Sequence, residues 1–94
     1  MEKIYDRNYQ IEGYSGDGTL YNSNMVVVGY VDEGTVTNRH GVRVGFTEGG
    51  KVLDRSGVRV GRYDEDTVYS RDYIILGYSE GYDVEAAAAL LILL

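Results

Sequence analysis

The side chains that could do chemistry in this chain are few. There is one histidine, His40, and there is no cysteine. A zinc site or a nucleophile–base pair needs more of these groups than the chain carries. Carboxylates are plentiful and recur at intervals: Asp17, Asp32, Glu33, Glu48, Asp64, Glu65, Asp66 and Glu80. Oxygen ligands of this kind can hold Ca²⁺, but the nonapeptide pattern of calcium β-rolls is absent, and solvated turns account for them. Gly41-Val42-Arg43-Val44-Gly45 is rich in glycine but interrupted by strand formers and precedes no helix, so it is not a phosphate loop. No catalytic, cofactor-binding or metal-ligating residue is assigned. Tyrosine, present ten times, is the remaining group with binding chemistry, since its ring offers an apolar face and a polar tip.

These residues recur because the chain itself does. Five 16-residue copies align without a gap: Ile4–Thr19, Leu20–Thr35, Val36–Lys51, Val52–Thr67 and Val68–Asp83. Each copy opens on an aliphatic residue and carries glycine at its tenth position: Gly13, Gly29, Gly45, Gly61 and Gly77. His40 falls where the other copies have Asn8, Asn24, Ser56 and Asp72, which makes it a polar turn residue. A gapless period of this length specifies a repeat architecture. The 94 residues suit one small domain, residues 1–94.

Each copy reads as a β-hairpin. In Asp54-Arg55-Ser56-Gly57 the aspartate opens a type I turn and the glycine takes the left-handed conformation, giving a three-residue loop with a bulge. That loop pairs Leu53 with Arg59 and Val52 with Val60; the third copy likewise pairs Val36 with Val44. A second turn follows at Gly16-Asp17-Gly18, Asp32-Glu33-Gly34, Glu48-Gly49-Gly50 and Asp64-Glu65-Asp66. The expected fold is therefore mainly β: an antiparallel meander of about ten short strands. The alternative is a β-solenoid with one coil per copy. It would stack Arg39, Arg55 and Arg71 about 4.8 Å apart, where like charges on adjacent strands repel.

Strict alternation assigns the faces. One face collects Leu20 and Val28, Val36 and Val44, Val52 and Val60, Val68 and Leu76, with Val26, Val42, Val58 and Ile74 alongside; Gln10 and Glu12 interrupt it in the first copy. The other face carries Tyr5 and Ile11, Tyr21 and Val27, Tyr69 and Ile75, but Arg43 and Arg59 in the middle copies. The column glycines allow strong coiling or a close approach. Gly61→Val should accordingly cost more than the same change at Gly50, which sits in a turn that the copies fill variably. The tail, Val84–Leu94, switches to helix formers after Asp83, a natural N-cap. It has no polar side chain beyond Glu85, so the helix should be buried on every side, with the sheet curled around it or lying over it.

Tandem units of the form Tyr-Asp-Arg-Ser-Gly followed by Val-Gly, matched most nearly by Ile4-Tyr5-Asp6-Arg7 and by Val52–Gly61, resemble hairpin repeats of small bacterial proteins of uncharacterised function. The likeness covers residues 4–83 and implies the architecture without a catalytic residue.

A net charge of −6 argues against a general nucleic-acid binder. The tail is far shorter than the ~20 apolar residues that cross a bilayer, and no signal-peptide core follows Met1, which favours the cytoplasm. The expected function is non-enzymatic: a structural or protein-interaction module. Tyr5, Ile11, Tyr21, Val27, Tyr69 and Ile75 form its candidate surface, and a second copy or another protein its partner. The alternative is a glycan-binding module using exposed tyrosines. An open meander would also have two unpaired edges, with no proline to blunt them.

Overall fold

The computed structural model describes residues 1–94 and places ten strands. They are β1 Glu2–Asp6, β2 Ile11–Gly16, β3 Thr19–Asn22, β4 Val27–Asp32, β5 Thr35–Asn38, β6 Arg43–Glu48, β7 Lys51–Asp54, β8 Arg59–Asp64, β9 Thr67–Ser70 and β10 Ile75–Ser79. All neighbours are antiparallel, and the sheet closes on itself. β1 pairs with β10 through Ile4–Ser79, Tyr5–Tyr78 and Asp6–Gly77. The two free edges of an open meander are therefore absent, because full closure leaves no strand unpaired. Successive copies stand two strands apart, as the charge argument against a solenoid requires. The molecule is a short, wide drum of 30 × 30 × 17 Å.

The five hairpin loops share one construction. The third residue of each copy (Asp6, Asn22, Asn38, Asp54 or Ser70) accepts backbone N–H bonds from residues two and four ahead, at 2.8–3.2 Å. The sixth residue then turns left-handed. Gly41 and Gly57 suit that geometry, with φ of 80° and 84°, while Tyr9, Met25 and Tyr73 adopt it with a side chain in place. At the opposite end, two-residue turns such as Asp17-Gly18 and Glu33-Gly34 have positive φ at both positions, the twist that joins tight hairpins.

Every copy also contains a second irregularity. Leu53 pairs with Arg59 as expected, but Val52 pairs with Gly61, not Val60, and Val36 pairs with Gly45, not Val44. The extra residue in each copy is Glu12, Val28, Val44, Val60 or Leu76. A bulge of this kind bends the strand and raises its twist, and one per repeat lets short strands close a drum. It also shifts the alternation. The twelfth position turns inward as well, burying Ser15, Thr47 and Ser79.

The drum is filled by the C-terminal segment. Eight strands make a barrel that side chains alone can fill; ten leave room, and the tail takes it. Asp83 caps α1 (Val84–Ala88) by accepting from the Ala86 N–H at 3.1 Å. The helix continues as a π-helical turn, Ala89–Leu93. Ala86 to Ala89 are fully buried, together with the first residue of every copy: Ile4, Leu20, Val36, Val52 and Val68. Ten helical residues span about 15 Å at 1.5 Å each, close to the 17 Å depth of the drum.

The column glycines exist for this plug. A Cβ at Gly13 would lie 2.6 Å from Leu90, at Gly77 2.8 Å from Leu91, at Gly45 2.7 Å from Leu93 and at Gly29 2.8 Å from Leu94; at Gly61 it would collide with Ile92. Five consecutive residues thus meet five glycines, one repeat at a time around the drum. One residue per repeat asks for five residues per turn. An α-helix supplies 3.6, and the i→i+5 bonding of a π-helix comes nearer to the five-fold wall. The close approach expected at these glycines is present, and the agent is the helix inside the drum.

One interior group is left over. Thr47 Oγ1 is buried without a hydrogen-bond partner, in a column where the second copy has Val31. Replacing an orphaned buried hydroxyl by a methyl of the same shape removes a desolvation cost. Thr47→Val should stabilise the protein by about 1 kcal/mol, read as a higher denaturant midpoint at unchanged slope.

Candidate functional site

The six residues expected to form a surface are brought together on the outer wall. Tyr5 pairs with Ile11, Tyr21 with Val27 and Tyr69 with Ile75. Closure sets the fifth copy beside the first, so these three pairs occupy adjoining hairpins. Tyr78 faces Tyr5, and Tyr14 faces Tyr21, across strand pairs, which extends the sector with more aromatic surface. Ile11 and Ile75 are exposed, whereas Tyr5, Tyr21 and Tyr69 are half-buried.

Aromatic stacking takes up part of this surface internally. Tyr9 lies flat on Tyr78, with ring centroids 4.4 Å apart and planes at 4°, and Tyr5 leans on Tyr9 at 6.0 Å. At the fifth-copy flank of the same sector, the Arg62 and Arg59 guanidiniums stand 5.0 and 6.0 Å from the Tyr73 ring centre. Their hydrogen bonds, Arg62 first, hold the Tyr73 phenol below its ordinary value of 10.0. Arg43 covers Phe46 at 5.2 Å. Tyr63 lies inside the turn end near Glu85, and burial pushes its phenol above 10.0.

The two ends of the drum differ in chemistry. At the hairpin-loop end, Val26, Val42, Val58 and Ile74 were expected among the core-facing residues, yet they are 47–54% exposed. Their copies pair the seventh residue with the third, as in Asn22 N–H to Val26 O, at the rim and past the end of the plug. Inside the rim is a depression of about 230 Å³ lined by Glu12, Asn22, Val28, Leu90, Leu91 and Leu94. The loops beside the rim carry Arg7, Arg39, Arg55 and Arg71, all exposed. His40 is exposed there too, with Arg39 Nε donating to its Nε2 at 3.5 Å.

The opposite end gathers the acidic turns. Its carboxylates are distributed around a ring, and no three His, Cys, Asp or Glu side chains converge on a point where a metal ion could sit. A shallow cleft of about 450 Å³ lies at the start of the helix, beside Glu2, Asp17 and Asp83. Glu2 accepts the Asp83 N–H at 3.1 Å and thereby ties the N-terminal strand to the plug. No helix is long and apolar enough to cross a membrane.

The exposed rim was missed by sequence reading because strict alternation makes no distinction between a strand's middle and its end. The arginines, in contrast, were visible as a column. No curated protein and no solved structure matches the chain. A family model described as 5-fold beta-flower protein matches residues 1–93. Five hairpins set like petals around one central helix fit that description, and the chain belongs to the 5-fold beta-flower protein family.

Proposed function

We propose that this chain works without catalysis, as an interaction module that presents its apolar outer wall to a second copy or to another protein. The observation that supports this reading is the continuity of the wall sector: closure joins Tyr69 and Ile75 to Tyr5 and Ile11, and those to Tyr21 and Val27. Contiguous exposed apolar surface marks an interaction site. A two-fold dimer that buries the sector on both subunits is the simplest closed assembly. The same tyrosines serve a glycan less well, because Tyr5, Tyr21 and Tyr69 are half-buried and are not laid bare as a platform.

Light scattering tests the proposal. The wild-type protein at high micromolar concentration should have a dimer's mass, and Tyr21→Glu should have a monomer's. A carboxylate within the sector would have to be desolvated on association. A monomeric wild type, or a variant that associates as the wild type does, overturns the dimer.

A further inference from the structure

We propose that the hairpin-loop end of the drum is a docking face for an anionic lipid surface. Three features meet there and nowhere else on the molecule. The first is the aliphatic rim of Val26, Val42, Val58 and Ile74, each about half exposed at 47–54%. The second is the arginine at the fourth position of four of the five copies, beside that rim. The third is the pair of left-handed tyrosines in the same loops, Tyr9 and Tyr73, 65% and 55% exposed even with one ring stacked on Tyr78 and the other under Arg62 and Arg59. Aliphatic side chains that enter the acyl boundary, guanidiniums that meet headgroup phosphates, and tyrosines at the interface between them are the ingredients of peripheral membrane binding.

The charge distribution selects this occupant. The segments 6–11, 22–27, 38–43, 54–59 and 70–75 hold six arginines, of which Arg43 and Arg59 lie over Phe46 and Tyr73, against three aspartates, with Glu12 in the depression inside the rim. Asp6 and Asp54 already accept loop N–H groups. The carboxylates that give the chain its charge of −6 lie mainly at the opposite end of a drum 17 Å deep. At physiological ionic strength charges are screened over about 8 Å, so an anionic surface at the loop end senses the arginines and little of the acidic turns. A second copy fits less well. Stacked head to head, it would oppose one arginine collar to another; stacked head to tail, it would set the aliphatic rim on solvated carboxylates. A bilayer with anionic headgroups satisfies both the rim and the collar.

The test is co-sedimentation of the full chain with phosphatidylcholine vesicles and with vesicles of phosphatidylcholine and phosphatidylglycerol in equal parts. The wild type should bind the mixed vesicles, bind the neutral ones far more weakly, and be released by salt. Arg39→Gln with Arg55→Gln should weaken partition roughly fivefold for each arginine removed. Val42→Asp with Val58→Asp should abolish it. Both pairs are exposed, and circular dichroism melts should match the wild type. Tyr21→Glu, on the outer wall, should bind vesicles unchanged even where it abolishes self-association, which separates this proposal from the dimer. Failure to bind either vesicle, equal binding to both, or rim and collar variants that bind as the wild type overturns it. A Tyr21→Glu variant that loses vesicle binding moves the contact to the wall and also overturns it.

Discussion

A chain lacking Ala86–Leu94 will not hold the drum. The segment contributes the fully buried Ala86 to Ala89 and most of the aliphatic bulk inside the five-fold wall. Leu90 is buried and Leu91, Ile92 and Leu93 are partly buried, so at 1.5–3 kcal/mol for each fully buried side chain their contribution has an upper bound of roughly 6–12 kcal/mol. That is comparable with the whole stability of a small domain, about 5–15 kcal/mol. The wall cannot compensate by collapsing inward, because the hydrogen-bonded ring of ten strands sets its circumference. Its inner lining would be five exposed aliphatic residues and five bare glycines. The truncated protein should therefore elute as aggregate or expanded chain and show no cooperative melt. A soluble truncation with the wild-type melting curve would mean that the helix decorates the barrel and does not support it.

Much of this architecture was legible in the residues. The period of 16, the Asx-type residue at the third position and the Gly41 and Gly57 turns specify a hairpin through local backbone chemistry alone. Asp83 as N-cap and the polyalanine run specify the helix in the same way. The register beyond the first strand pair of each hairpin was not legible, because a bulge at Val44 or Val60 arises from closing the ring and not from the local sequence. One unseen bulge per copy was enough to hide the inward column of Ser15, Val31, Thr47, Tyr63 and Ser79, since a single extra residue moves every later side chain to the other face.

The candidate surfaces divide along the same line. The pairs Tyr5–Ile11, Tyr21–Val27 and Tyr69–Ile75 follow from hairpin register and were readable. Their union into one sector depends on the contact between β1 and β10, 77 residues apart at Lys3 and Glu80. The rim could not be read at all. Val26 and Val28 are both valines two positions apart on one face, and only the level at which the plug ends separates an exposed residue from a partly buried one.

Gly61→Ala should destabilise far more than its single methyl suggests, and the loss should be coupled to Ile92. A Cβ there collides with Ile92 and lies 2.8 Å from the Tyr69 carbonyl oxygen. Overpacking a filled interior costs about 1–3 kcal/mol, and Gly61→Val should exceed that. Ile92→Ala alone leaves a cavity and should cost about 2–5 kcal/mol. Combined with Gly61→Ala it should cost at least 1 kcal/mol less than the sum, because each change partly makes room for the other. Gly61 is the best column position for this exchange: the Tyr69 carbonyl at 2.8 Å still crowds the Cβ after the helix side chain is trimmed, but the carbonyl stands closer at Gly13, Gly29, Gly45 and Gly77. Two other glycines scale the effect. Gly16→Ala meets only the Met1 side chain, at 3.3 Å, and should be neutral within about 0.5 kcal/mol. Gly50 has φ of +87°, so alanine there is strained by about 1–2 kcal/mol. The turn is therefore a costlier control than its variable filling implies, although it should still rank below Gly61. Denaturant midpoints of the five single variants and the double give the order and the coupling. Strict additivity of Gly61→Ala and Ile92→Ala would mean that the glycine column bends the strands for its own sake, and that the fit of five helical residues to five glycines carries no energy.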